Sequence, residues 1–427
     1  GAALDLAGAL RDGGPYRQRL QNHRELIYHG TIHFGGQPVE AVFDTGSFDV
    51  VVVSQRCRNC TEPPYNSSDS PSYRRDPFNH TEEHNYVSGP TLTALAYERV
   101  SVGPLVSNNQ SIFEVLDHSI SVLDKGIFSA VVGIGPEAGN ESMPSLLRGL
   151  NISEYSLCLE RGAGAPGWLT WRGGLSPAQK AEAEELGVVG KFHWALSMRD
   201  VLPAGDGLTP RQRSAAQTLL CGRGCAAILD SGTSLISAPS HALQGLQYLL
   251  PKLNENCSNF ADLPDLEFTL GGRRLTLPPE AYAMRVMGTA EERAQVASLL
   301  HFQPRKGVGM TLSSTCMYAF IKLDHHTDYG PLWIMGMPFF RFFHVTFGLS
   351  ANPADRRIWL SGASESCEPV GLNTSTNTSI DPNAKFEGFG VYPKVVVAQH
   401  TTTRVRRGPL TIRARDVKPP RAPKGEL

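Results

Sequence analysis

Two short segments, Phe43-Asp44-Thr45-Gly46-Ser47 and Leu229-Asp230-Ser231-Gly232-Thr233-Ser234, limit the fold of this chain more than any other feature. Each ends an apolar run, Ala41 to Phe43 or Ala226 to Leu229, in an aspartate, and then turns on a hydroxyl residue and a glycine. An apolar strand built this way carries its acid to a buried or half-buried tip. Two copies 186 residues apart describe two matched halves that present two carboxylates to one site.

The rest of each half repeats in the same order. Ala130-Val131-Val132-Gly133-Ile134-Gly135 follows the first motif, and Trp333-Ile334-Met335-Gly336 follows the second, each about a hundred residues on. Taken with these motifs, the chain resembles the pepsin family of aspartic endopeptidases from about Leu26 to Leu360. Tyr28-His29-Gly30-Thr31-Ile32, Tyr86, Phe192-His193-Trp194-Ala195-Leu196 and Leu263-Pro264-Asp265-Leu266-Glu267-Phe268 extend the likeness. The resemblance implies a mainly-β, bilobal acid protease fold, with two homologous β lobes, a few short helices and a central cleft. The lobes are expected over 24–190 and 191–361, after a polar lead (1–23) left from a propeptide and before a flexible tail (362–427).

Composition agrees. A chain of 427 residues can bury two cores. Forty basic against 41 acidic side chains leave no field that would attract nucleic acid. Forty-two glycines and 30 prolines among short Val, Ile, Leu and Phe runs suit strands and turns. Thr91 to Val102 and Phe339 to Phe347 read as strands, and Ser145–Leu150, Pro177–Leu186 and Ser240–Leu250 as helices. No run of 18 apolar residues spans a membrane. The chain opens at Gly1, so a signal peptide is expected to have been removed or not included.

Two carboxylates in hydrogen-bonding range cannot both ionise easily, so one keeps its proton. A water between Asp44 and Asp230 can then give a proton to one acid while attacking a peptide carbonyl that the other protonates. No cofactor and no metal are needed, and the expected partner is a peptide or protein substrate met by a monomer. Gly46 and Gly232 let backbone approach the acids and donate N–H groups. The resemblance makes Thr45 and Ser231 braces between the loops, with Ser47 and Thr233 bonding the outer carboxylate oxygens, which favours an acidic working pH. It makes Tyr86 and Ser88 part of a flap over substrate. Gly232, Thr233 and Ser234 stand beside the substrate backbone, and Val122, Phe128 and Val131 line an apolar pocket favouring a hydrophobic residue at the scissile bond.

Some positions depart from the family pattern. Phe48-Asp49-Val50-Val51 stands where Ser-Asn-Leu-Trp is usual, so no tryptophan is available to bond Tyr86. Val87-Ser88-Gly89-Pro90 replaces a more flexible flap tip, and Met337 replaces a common Asp. None of these removes a group that performs the chemistry. The rival reading is a catalytically silent pepsin-like binding or inhibitory glycoprotein. Such relatives lose an Asp, a motif Gly or the flap tyrosine, all of which are present here. Ser231 and Ser234 lack a nearby histidine, Gly133-Ile134-Gly135 lacks a third glycine, and Asp324-His325-His326-Thr327-Asp328 reads as a solvated loop.

Eight cysteines and the sequons indicate location. The resemblance favours the pairs Cys57–Cys60, Cys221–Cys225 and Cys257–Cys316, leaving Cys158 and Cys367, which a bridge from the first half to the end of the second would use; spacing alone decides nothing. The competing reading of Cys57-x-x-Cys60 and Cys221-x-x-x-Cys225 is a zinc site, against which no histidine lies near either pair. Nine of 16 asparagines head Asn-x-Ser/Thr, where chance gives about two. Asn66, Asn79, Asn109, Asn140, Asn151, Asn373 and Asn377 are candidate glycosylation sites; Asn59 and Asn256, beside cysteines, are expected to be hindered. Both signals indicate the secretory pathway, ending outside the cell or in an acidic lysosome- or vacuole-like compartment. The tail is Ser/Thr/Asn-rich, then basic with four prolines over Arg404 to Lys424. Its end, Lys424-Gly425-Glu426-Leu427, resembles an ER-retrieval signal with Gly in place of Asp.

Overall fold

The structure, a computed structural model, describes residues 14–60, 64–86, 89–119, 127–136, 143–162, 164–205, 207–287 and 314–372. The fold is mainly β and bilobal, with short helices at its edges. In the first half, strand Gln37–Asp44 runs parallel to Ala130–Gly133, so that Asp44 faces Gly133. Val50–Val53 lies antiparallel to Ala130–Gly133 and parallel to Leu105–His118. The second half repeats this arrangement. Cys225–Leu229 runs parallel to Gly330–Met335, which is antiparallel to Ile236–Ala238, itself parallel to Phe320–Lys322.

Val50–Val53, Ala130–Gly133, Cys225–Leu229 and Ile236–Ala238 are buried throughout their lengths, which is why they read as unbroken apolar runs rather than as alternating ones. Tight glycines let them pass. A Cβ on Gly133 would lie 2.4 Å from the backbone of Phe48, and one on Gly336 2.2 Å from the Leu235 carbonyl. The apolar-apolar-Gly echoes are therefore the positions where a second segment crosses behind each aspartate loop.

A six-stranded antiparallel layer joins the halves: Glu184–Gly187, Arg357–Ala363, Phe343–Gly348, Glu154–Leu159, Gly167–Trp171 and Tyr16–His23. Glu154–Leu159 of the first half pairs with Phe343–Gly348 of the second. Phe43, Tyr155, Trp171, Trp194 and Phe347 belong to one continuous core. Tyr155 stacks on Phe347 with ring centroids 4.9 Å apart.

The structure differs from the sequence reading in four places. The flexible tail expected from 362 does not begin there: Gly362 and Ala363 end strand Arg357–Ala363 and pair with Val370 and Pro369, and Cys367 is bridged to Cys158. Tyr16–His23, read within a polar lead left from a propeptide, is a strand of the sheet, and its Gln18 amide bonds Thr31 O while accepting from Trp171 Nε1. The helix begun by the Ser176–Gln179 capping box stops at Glu182, because Glu184–Gly187 joins the sheet and buries Leu186. Met337–Phe342 is helical, with Gly336 as its cap and Pro338 in its first turn, and the strand begins only at Phe343. Four disulfides are present, Cys57–Cys60, Cys158–Cys367, Cys221–Cys225 and Cys257–Cys316. Among the described residues no helix is long and apolar enough to cross a membrane.

Candidate active site

Asp44 and Asp230 meet where the two halves touch, each with 1 % or less of its surface exposed. Their hydrogen bonds match atom for atom. Asp44 Oδ1 accepts from Gly46 N at 2.8 Å and Oδ2 from Ser47 Oγ at 2.6 Å. Asp230 Oδ1 accepts from Gly232 N at 2.7 Å and Oδ2 from Thr233 Oγ1 at 2.6 Å. The carboxyls also bond each other.

A second reciprocal set locks the loops together. Thr45 N donates to Ser231 Oγ (3.0 Å) and Ser231 N to Thr45 Oγ1 (2.9 Å). Thr45 Oγ1 donates to Leu229 O (2.8 Å), and Ser231 Oγ to Phe43 O (2.6 Å). Either hydroxyl residue can fill either role, because each position uses one donor and one acceptor. The loops are thereby fixed across the boundary between halves, with no rotor left unpaired.

Burial, and after it the negative charge of Asp230, holds the Asp44 carboxyl well above the usual carboxylate range. Burial also raises Asp230, opposed by the donors from Asp44, Thr233 and Gly232. Such a pair keeps one proton where isolated carboxyls would have lost theirs. Beneath it lies Tyr155, fully buried, whose hydroxyl donates to Ile134 O (2.5 Å) and accepts from Trp194 Nε1 (2.8 Å). Burial, and to a smaller degree the charge of Asp44, pushes this phenol up, so it stays neutral. Nothing in the sequence reading singled out Tyr155, and only the Trp194 of a quoted motif hinted at the bond.

Other expected site residues fall in several places. Ser234 is buried and its hydroxyl donates to Leu26 O at 2.5 Å, so a backbone carbonyl already occupies it. Phe128 and Val131 pack with Val42, Val51, Leu95 and Phe113 as core rather than lining an open wall. Tyr86 pairs with Gly89 at the end of the hairpin Thr81–Tyr86/Gly89–Val102. Ser88 and Val122 lie outside the described residues, as do Asn140, Asn373 and Asn377. Asn79, Asn109 and Asn151 are exposed, whereas Asn66 is half-buried and its amide bonds Asp69. In the acid-histidine loop, Asp324 accepts from Ser240 N and Oγ (2.7 and 2.6 Å), which holds its carboxyl down to about 2. It caps helix Ser240–Leu249.

No histidine is near Cys57 along the chain, yet folding brings His118 to the disulfide. A second missed contact is His84, on the hairpin strand and fully buried, whose Nδ1 lies 3.8 Å from Asp49 Oδ2.

This arrangement of two reciprocally bonded aspartate loops agrees with comparisons of the whole chain. Residues 27–355 match the family model described as eukaryotic aspartyl protease. The chain is 27 % identical to cathepsin D of Chionodraco hamatus over 361 residues, covering 79 % of this chain and 82 % of that protein. It is 27 % identical to renin-2 of Mus musculus (78 % and 80 % covered) and 25 % identical to pepsin A of Canis lupus familiaris (78 % and 82 % covered). The chain belongs to the eukaryotic aspartyl protease family, and so to the aspartic-type endopeptidases.

Proposed function

We propose that the protein hydrolyses peptide bonds with a water activated by Asp44 and Asp230, working at acidic pH. The observation that carries this reading is the matched pair of buried carboxyls, each with a backbone and a hydroxyl donor and each in contact with the other. With one proton on the pair, the ionised carboxyl takes a proton from the water as its oxygen attacks the scissile carbonyl. The other carboxyl gives its proton to the carbonyl oxygen. A tetrahedral gem-diol forms, and its collapse passes a proton to the leaving amine and restores the pair. The N–H and hydroxyl donors are already aligned, so they need not reorganise as charge moves.

Acidic working conditions follow from the same chemistry, since the pair must retain one proton and burial is what keeps it there. Ser47 and Thr233 hold down the ionised form and extend activity toward lower pH. The preference for a hydrophobic residue beside the scissile bond rests on the family resemblance alone, since Phe128 and Val131 are packed in the core. Four disulfides and exposed sequon asparagines support passage through the secretory pathway with glycans at Asn79, Asn109 and Asn151.

Digestion of a peptide library across pH, with a statine-type inhibitor and with Asp44→Ala and Asp230→Ala beside the wild type, tests the proposal. Cleavage at acidic pH is expected, with inhibition by statine and loss in both variants. Cleavage that survives both replacements refutes the dyad. Absence of cleavage by the wild type at every pH favours the non-enzymatic binder.

A further inference from the structure

We propose that Cys57, Cys60 and His118 form a redox-gated site for a thiophilic divalent cation, Zn2+ foremost, which becomes available when a dithiol reduces the Cys57–Cys60 disulfide. The two sulfurs and a ring nitrogen of His118 all lie within 4.8 Å of one another, and no other such group of three occurs among the described residues. Tetrahedral zinc with bonds of about 2.3 Å to sulfur and about 2.0 Å to nitrogen sets its ligands roughly 3.5–4 Å apart. The His118 ring therefore needs little movement, and only the sulfurs must separate. The Cys-x-x-Cys spacing is that of a zinc knuckle, in which two thiolates from one short loop share a cation.

The loop is already clamped to the strand that supplies the histidine. Asn59, between the two cysteines, donates from Nδ2 to His118 O (2.7 Å) and accepts from His118 N at Oδ1 (3.3 Å). Arg58 N donates to Leu116 O (3.1 Å). Breaking the S–S bond leaves all three hydrogen bonds in place, so the reduced loop stays beside His118. A cation then meets an assembled ligand set rather than a free chain, which lowers the ordering cost of binding.

Accessibility separates this disulfide from the others. Both of its cysteines are half-buried, whereas Cys158, Cys367, Cys221, Cys225 and Cys316 are buried, so each other bridge has at least one shielded sulfur. The chemistry balances. A dithiol gives two electrons and two protons to the disulfide and closes its own disulfide, leaving Cys57 and Cys60 as thiols. The cation displaces both thiol protons to solvent, takes the lone pair of the neutral imidazole, and completes its shell with water. Reoxidation would expel it. His118 also pairs with Thr91 of the hairpin, so the loaded site would tie the loop to the hairpin strand close to its turn. Cation binding at this loop does not depend on whether the dyad hydrolyses peptides.

The test uses the full glycosylated chain, opened with limiting phosphine reductant, which unlike a dithiol does not chelate the metal, near neutral pH. Mass mapping of alkylated cysteines identifies the bridge that opens. Zinc is then added, excess removed, and metal per chain measured, with cobalt(II) as a spectroscopic probe of thiolate ligation. One zinc per chain is expected in the reduced wild type and none in the oxidised protein. Bound zinc should protect Cys57 and Cys60 from alkylation, a result that needs no variant. His118→Gln should weaken binding at least about tenfold, and Cys57→Ser/Cys60→Ser should abolish it. The proposal is overturned if the reduced wild type binds no more zinc than the oxidised protein, if zinc gives no protection, or if His118→Gln binds as tightly as wild type.

Discussion

A Cβ built on Gly46 would lie 2.7 Å from the carboxyl carbon of Asp230, and one on Gly232 would lie 2.5 Å from Oδ1 of Asp44. Each motif glycine thus packs against the acid of the opposite loop while donating its N–H to the acid of its own. Neither glycine has the positive φ that favours glycine elsewhere in the chain, so space rather than backbone conformation demands it. Gly46→Ala and Gly232→Ala should each push the carboxyls apart. Since a displacement of about 1 Å costs about a hundredfold in rate, kcat/KM should fall at least that far. A folded variant, checked by circular dichroism, that keeps wild-type activity would show the contact to be dispensable.

The brace between Thr45 and Ser231 leads to a prediction about stability. Thr45→Val leaves the buried Ser231 N–H and Leu229 C=O without the partner they now share, at a cost of about 1–3 kcal/mol each. For a protein with lobes of this size each kcal/mol lowers Tm by about 2–4 °C. Thr45→Ser keeps both bonds and should stay near wild type. Scanning calorimetry of the two variants separates the lost bonds from any effect of the missing methyl group.

Much of this centre was legible in the chain. The aspartates, glycines and hydroxyls are local, and their chemistry follows from residue type and order. The Asn-x-Ser/Thr runs and the Thr209-Pro210-x-Gln212 capping box that starts helix Pro210–Leu219 are equally local. Elements decided by distant partners were not legible. Glu184–Gly187 follows a good helix start yet becomes a strand because Arg357–Ala363 offers it a sheet edge. Phe128 and Val131 could line a pocket or fill a core, and only the packing distinguishes these. Tyr155 and His118 act through residues far from them in sequence, and no local pattern marks either.

The pH dependence of stability has a definite sign. Both acids bind protons more tightly in the folded state than an unfolded chain does. Their stabilising contribution is therefore complete below the ordinary carboxylate range, and is lost as pH rises through their raised folded range. Asp44→Asn keeps the shape and removes one of the two charges. Its Tm relative to wild type should rise as pH goes from acidic to neutral, by about 2–4 °C for each kcal/mol of relieved repulsion. A constant difference between the two melting curves across pH would contradict the buried, proton-sharing pair.

Activity should report the hydroxyl donors separately. Thr233 Oγ1 bonds Asp230 Oδ2 at 2.6 Å and lowers that acid against the effect of burial. A hydrogen bond to a charged group contributes about 1.5–3 kcal/mol, or about one to two pK units. Thr233→Val should accordingly move the acidic limb of the kcat/KM profile upward by about one unit, while Thr233→Ser leaves it in place. A profile for Thr233→Val that falls in height without shifting would mean the hydroxyl positions Asp230 but does not tune it.

The last prediction concerns the hairpin, where the usual tryptophan is absent. His84 lies on strand Thr81–Tyr86, fully buried, with its ring edge-on to Phe113 at 4.7 Å and Nδ1 3.8 Å from Asp49 Oδ2. Asp49 O in turn accepts from Gly133 N (2.8 Å), on the segment that crosses behind the Asp44 loop. The pair therefore links the hairpin to the chain leaving the first aspartate motif, two residues before Tyr86. If the hairpin covers substrate, as the resemblance implies, His84→Gln and Asp49→Asn should each loosen that link and raise KM more than they lower kcat, because the dyad stays intact. The two effects should not add, and a double-mutant cycle on KM should give a coupling of about 0.5–3 kcal/mol, as expected for residues in contact. Strict additivity would mean that His84 is held by Phe113 and its other neighbours alone, and that the charge of Asp49 serves some purpose other than anchoring the flap.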